Sequence, residues 1–304
     1  MSKVQQIRLI RNQEIDYNKW DECINKSLSG KLYARSWFLD LVAEGWEALV
    51  YEDYKFIMPL PVKSKWGIRY VSQPAYCQQA GIYPTPDIEI QKQFAAQLKQ
   101  EFRLINYQIN VENDVVAFEG FQKTEKINYI LHLNNSYENI FSNYLKHTKR
   151  NLKSCQRFNV SVIKGLLHHE YLKEKELIAG PSYKKSEYTV LNRLMAQSIA
   201  KGKGVIYAAF TGENNLCAAA FYVFDGDRIY YLNSFSNEQG KKNMATYAIM
   251  DHVINEYSEN DLILDFEGSV IESIAWFFRS FGPLAEKYFY IYSNRLPVVR
   301  MFMK

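Results

Sequence analysis

Residues 205–245 decide the fold: VIYAAF-TGENN-LCAAAFYVF-DGD-RIYYLNSF-SNEQGKKNMA. Three strand-like runs, Val205 to Phe210, Leu216 to Phe224 and Arg228 to Phe235, are separated by two glycine-containing turns, the pattern of an antiparallel meander. The third run leads directly into Ser236 to Ala245, after which Tyr247, Met250, Ile254 and Tyr257 recur at helical spacing. An apolar strand, Leu262 to Phe266, a short helix, Glu272 to Phe281, and a last strand, Tyr288 to Tyr292, close the unit. Three strands, a glycine loop, a helix, a strand, a helix and a strand make an α/β unit whose loop delivers backbone amides to a helix start. Unpaired amides and the helix dipole both favour an anion there, and Lys241 and Lys242 add charge. Simple helix capping is the competing reading of the same loop.

Upstream, the pattern predicts a helix from about Ser186 to Ala200, a strand at Val160 to Ile163 and one long helix from Ser136 to about Phe158. Lys146, Lys149, Arg150, Lys153 and Arg157 fall three or four apart on that helix, forming a stripe that suits either a polyanion or plain solvent. The first half predicts a strand at Val4 to Ile10, helices at Asp16 to Ser27 and from Ser36, strands at Glu47 to Tyr51, Phe56 to Val62 and Ile68 to Val71, a helix capped by Asp87, and strands at Ile105 to Val111 and Ile127 to Leu133. Both halves thus run helices, three strands, helix, strand, which predicts two domains, residues 1–140 and 141–304, with the last strand free to pack back on the first.

At 304 residues two domains are also the natural expectation from length, and 47% hydrophobic with 23% charged residues describes a globular chain. A net charge of +4 does not announce a nucleic-acid protein. The four cysteines lie far apart without a CxxC or Cys/His pairing, and the His168-His169 pair has no ligand cluster beside it, so no metal is expected. No apolar run approaches the ~20 residues that cross a bilayer, and a cytoplasmic location is expected. No G-x-S-x-G elbow or P-loop is present.

The order of elements resembles the GNAT acyltransferase superfamily, and Gln239-Gly240-Lys241-Lys242-Asn243-Met244-Ala245 looks like a degraded form of its Q/R-x-x-G-x-G/A turn. Leu264-Asp265-Phe266-Glu267 followed by Ala275 to Gly282 is similar to the family's strand and its helix ending in a large residue and glycine. More narrowly, Lys146 to Lys153, Gln78 to Tyr83 and Asp265 to Ser269 resemble the FemABX-like, cellulose-biosynthesis-type branch, whose members carry two GNAT-like domains.

That resemblance implies two GNAT-like domains in tandem, each a mixed, mostly antiparallel sheet flanked by helices, the first degenerate. It implies an N-acyltransferase using acetyl-coenzyme A or another acyl-coenzyme A on an amine acceptor. A Fem-type transferase drawing on aminoacyl-tRNA, acting on a bacterial cell-envelope or nucleotide-sugar precursor, and a non-catalytic binding module are its alternatives. The donor site would comprise Asn233, Ser234 and Phe235 on the third meander strand with Gln239, Gly240, Lys241, Lys242, Asn243, Met244 and Ala245 on the loop. Where the family's last helix commonly carries a tyrosine, or in Fem-type enzymes a lysine, this chain has Phe278 beside Arg279.

Transfer to an amine needs a base, and Asp265 and Glu267, two apart and expected on one strand face, are the candidates, Glu267 being nearer the strand's C-terminal end. Alternatively Asp265 pairs with a core Arg or Lys while Glu267 caps the next helix. Tyr231 is a third catalytic candidate, and Lys146, Lys149, Arg150 and Arg279 are candidates for a polyanionic substrate.

Overall fold

The computed structural model describes residues 7–28, 32–180, 185–268 and 271–296. Val4 to Gln6 of the expected first strand and Ser269 of the Asp265 to Ser269 motif lie outside the described residues. The chain divides into two compact units, Met1–Lys126 with Lys287–Lys304, and Ile127–Glu286. Ile127 to Leu133, read from sequence as the last strand of the first half, therefore belongs to the second unit.

In the first unit, β1 (Ile7–Ile10), β2 (Glu47–Tyr51) and β3 (Phe56–Leu60) form an antiparallel sheet in that order. Helices α1 (Tyr17–Asn25), capped by the Asp16 carboxylate, and α2 (Ser36–Val42) stand between β1 and β2 in the chain. Trp20 and Trp46, both fully buried with ring centroids 4.6 Å apart, anchor their packing. The expected strand Phe56 to Val62 is two strands. Pro61 has no N–H to continue a ladder, so β3 stops at Leu60 and β4 (Val62–Lys65) pairs instead with β5 (Ile68–Ser72). Helix α3 (Ile88–Glu101) buries Phe94, Ala95 and Leu98, and β6 (Leu104–Ile109) runs parallel to β5.

The second unit opens with β7 (Gln122–His132), whose first residues lie in the first unit. The long helix expected from Ser136 to Phe158 is two, α4 (Tyr137–Ser142) and α5 (Lys146–Arg157). The break has a cause in packing: Tyr144 is buried against Phe141 and Phe281, while Leu145 N–H and Thr148 Oγ1 both donate to the Ser280 carbonyl, at 3.0 and 3.1 Å. Strand β8 (Ser161–Lys164) follows, then α6 (His168–Ala179) and α7 (Lys185–Ala200). Sequence periodicity does not reveal α6, because it buries only Tyr171 and Leu172.

The meander is as predicted: β9 (Gly204–Phe210), β10 (Leu216–Asp225) and β11 (Arg228–Ser236), antiparallel throughout. One-turn α8 (Glu238–Lys242), then α9 (Ala245–Tyr257), β12 (Ile263–Asp265) and α10 (Glu272–Arg279) complete the unit, with strand order β7-β12-β11-β10-β9-β8. Ile249, Met250, Val253 and Ile254 of α9 pack into the main core with Ala218, Ala220 and Tyr222 of β10. The final strand, β13 (Leu284–Asn294), pairs antiparallel with β6, Phe289 opposite Ile109. Two GNAT-like domains in tandem, of mixed α/β class, describe this architecture. Among the described residues no helix is long and apolar enough to cross a membrane.

Candidate active site

The second unit contains a place where its sheet opens. Strands β11 and β12 run parallel and pair at three positions only, Arg228 with Ile263, Ile229 with Leu264 and Tyr230 with Asp265. Beyond Tyr230, β11 continues to Ser236 on β10 alone, with a bulge that leaves Leu232 without a register partner. The chain after β12 turns away. Phe266 N–H still bonds Tyr129 O of β7, but Glu267 and Gly268 take left-handed backbone conformations, φ 60° and 52°. Gly268 is required there, since a Cβ would sit 2.2 Å from the Ile127 carbonyl.

The parting of the strands leaves a cavity of about 1050 Å³ lined from Tyr231 to Phe278. Its inner wall is aromatic: buried Tyr231, Phe266 and Phe278, with the Tyr231 and Phe278 rings 5.7 Å apart. Its rim is polar, with exposed Lys241 and Glu272. A crevice beyond the carboxyl ends of parting parallel strands is where α/β folds place ligands.

The candidate residues divide accordingly. Tyr231, Asn233, Ser234, Gly240, Lys241, Met244 and Glu267 line this cavity. Gln239, Lys242 and Asn243 line a second one of about 710 Å³ with Arg157 and Asn159. Phe235 is buried against Tyr171 of α6, centroids 4.9 Å apart, and Ala245 is buried as the first residue of α9. Asn237 caps α8 by accepting the Gly240 N–H at 2.9 Å, so the amide expected to be open is engaged. Gly240 is instead a packing glycine, whose Cβ would lie 2.1 Å from the Cys217 carbonyl. Helix α9 begins after Met244 (φ 59°) without a capping side chain, which moves the open helix start to Ala245 and Thr246, and Thr246 lines the cavity.

Asp265 and Glu267 do not share a strand face, because β12 ends at Asp265. Asp265 is buried, bonded to Arg228 at 2.8 Å, with its other oxygen accepting the Glu267 N–H at 2.9 Å. Burial acts against the Arg228 charge, but Asp265 and Glu286 outweigh it and raise its pKa. Asp265 thus fixes the turn that presents Glu267 to the cavity. Burial pushes the Tyr231 hydroxyl up to about 12, with its bond to the Ser234 side chain acting the other way.

On α5, Lys146, Arg150, Lys153 and Arg157 are exposed, whereas Lys149 donates to Ser142 O at 2.8 Å and lies over the Phe141 ring. Arg279 is bonded to Glu272 and, at 3.3 Å, to the Tyr129 hydroxyl. Helix α6 contributes two residues that sequence reasoning missed. Tyr171 donates to Asn233 Oδ1 at 2.8 Å, and Lys175 donates to Ser234 O at 2.9 Å. Burial lowers the Lys175 ammonium to about 8. The Ser236 hydroxyl is buried without a partner among the described residues. Among those residues, no group of three His, Cys, Asp or Glu side chains is placed to hold a metal, and all four cysteines are free and buried.

No family model matches the sequence, and no curated protein matches it. Solved structures do match. FemX superposes with a TM-score of 0.61 at 11% identity, over 93% of this chain and 97% of that one. L-PGS from Bacillus licheniformis gives 0.54 at 12%, over 93% of each chain. A tandem GNAT protein from the clavulanic acid biosynthesis pathway gives 0.54 at 8%, over 95% and 98%. At these identities the likeness is one of fold alone.

Proposed function

On a chain with the FemABX-like, tandem GNAT fold, we propose an N-acyltransferase that moves an acyl group from acyl-coenzyme A to an amine. The observation carrying this reading is the cleft opened where β11 leaves β12, which offers a strand edge that β12 does not cover and a helix start to one elongated donor. In this reading the thioester lies along β11, and backbone amides around Asn233 and Ser234 hold its carbonyl oxygen as negative charge develops. The donor's phosphates meet Lys241 and the first amides of α9.

Glu267 takes the proton of the acceptor ammonium. The free amine attacks the thioester carbon, the C–N bond forms, the now cationic nitrogen sheds its second proton, the C–S bond breaks, and the thiolate leaves with a proton. Phe278 has none to give. Tyr231, its ring edge-on to Phe278 and protonated at neutral pH because its pKa is about 12, supplies it and is reprotonated by the proton that the nitrogen sheds. Catalysis of this kind needs no metal.

A second reading, an aminoacyl donor carried on tRNA and an acceptor among cell-envelope precursors, is favoured by the exposed cations of α5. A cytoplasmic setting suits either donor. Incubation with radiolabelled acetyl-coenzyme A or with charged tRNA, each with a panel of amines, tests the proposal. Label in an amide product from the coenzyme supports the first reading, label from tRNA alone supports the second, and no product from either removes both.

A further inference from the structure

His147 of α5 and Trp276 of α10 lie ring on ring, centroids 3.9 Å apart and planes 13° from parallel. Trp276 lines the cavity yet stays 45% exposed. Among the described residues it meets no other ring. An indole backed on one face and open on the other presents a flat apolar surface to water, which a second planar ring would cover at a gain. Burial, with the Arg150 guanidinium nearby, lowers the His147 pKa and favours a neutral imidazole beneath the indole. His147 Nε2 is buried without a hydrogen-bond partner among the described residues, so its contact with Trp276 is one of stacking.

The surroundings are cationic. Lys146 and Arg150 flank His147 on α5, both exposed, and neither is ion-paired among the described residues. Lys241 stands on the rim of the same cavity as Trp276, in a surface pair with Glu238 that a phosphate can displace. A flat aromatic face beside exposed cations matches a nucleotide, whose base stacks while its phosphates are neutralised.

We propose that Trp276, backed by His147, is the stacking platform for the base of an adenine nucleotide at the end of the donor, with Lys146, Arg150 and Lys241 serving its phosphates. The proposal rests on the transferase reading for the identity of the ligand, because coenzyme A and the acceptor end of tRNA both finish in a phosphate-bearing adenosine.

The probe is adenosine 3′,5′-bisphosphate, which carries base and phosphates without an acyl group, and inorganic pyrophosphate is the base-free control. Trp276→Ala weakens the nucleotide about tenfold, whereas Trp276→Phe, which keeps a ring, weakens it much less. Pyrophosphate binds all three proteins alike. Equal nucleotide affinity in wild type and Trp276→Ala, or a nucleotide that binds wild type no more tightly than pyrophosphate does, overturns the platform. Turnover separates this from the transferase reading. Acyl transfer with an unchanged donor KM in Trp276→Ala removes the platform and keeps the enzyme, while Trp276-dependent nucleotide binding without any transfer keeps the platform and removes the enzyme. A raised KM for acetyl-coenzyme A identifies the coenzyme as source of the adenosine, and a raised KM confined to charged tRNA identifies the RNA.

Discussion

Replacing Asp265 with Ala removes one partner of a buried ion pair and, with it, the anchor of the turn at Glu267. The Arg228 and Asp265 side chains are 9% and 1% exposed and meet at 2.8 Å. Stranding one charge of a buried pair costs ~3–5 kcal/mol. Glu286, 3.7 Å from the same guanidinium, keeps part of the attraction and places the loss near the lower figure. Losing the hydrogen bond to the Glu267 N–H adds about 1 kcal/mol. At roughly 2–4 °C per kcal/mol for domains of this size, the melting temperature falls by about 8–16 °C. Thermal denaturation followed by circular dichroism reads this directly, with Glu286→Gln as the control that leaves the 2.8 Å bond intact and melts close to wild type. A shift under about 2 °C for Asp265→Ala, or an equal loss in the control, refutes the assignment of Asp265 as the structural member of the acidic pair.

Glu267→Gln is expected to lower kcat for amide formation about a hundredfold while donor affinity is unchanged, as steady-state kinetics and donor titration together would reveal. Gly240→Ala places a Cβ 2.1 Å from the Cys217 carbonyl and is expected to cost ~1–3 kcal/mol in urea denaturation, although its backbone needs no glycine. Lys175 has a folded pKa of about 8, below the ordinary 10.5, so the unfolded chain binds more protons between those values. Wild type therefore gains stability relative to Lys175→Met as pH rises from about 8 toward 10.5, and a constant difference across that window would contradict the burial of the ammonium.

Much of this architecture is legible in the sequence where local signals are strong. The meander from Val205 to Phe235 has alternating apolar runs and glycine turns, and each strand lies within a residue or two of its expected place. Elements set by long-range contacts are not legible. The break between α4 and α5 depends on the Ser280 carbonyl, far along the chain, and α6 buries too few residues to show a stripe. The same distinction governs the site. Tyr231, Ser234, Lys241 and Glu267 line the candidate cavity, and they could be named because they fall on the third meander strand, in the segment leading to α9 and just past β12. Gly240 could not be told apart as a packing glycine, because the Cys217 carbonyl that requires it is distant in sequence. Lys175 carries no periodic or motif signal, and Trp276, though inside the Ala275 to Gly282 segment, has nothing local to mark a role; only tertiary contacts bring them to β11 and to His147.

Isothermal titration with acetyl-coenzyme A tests most directly whether the cleft between β11 and β12 holds the activated donor. A single site is predicted in wild type, and Ser234→Trp, whose indole would stand in the donor's path along β11, is predicted to give no heat while melting within a few degrees of wild type. Undiminished binding by Ser234→Trp would contradict the account.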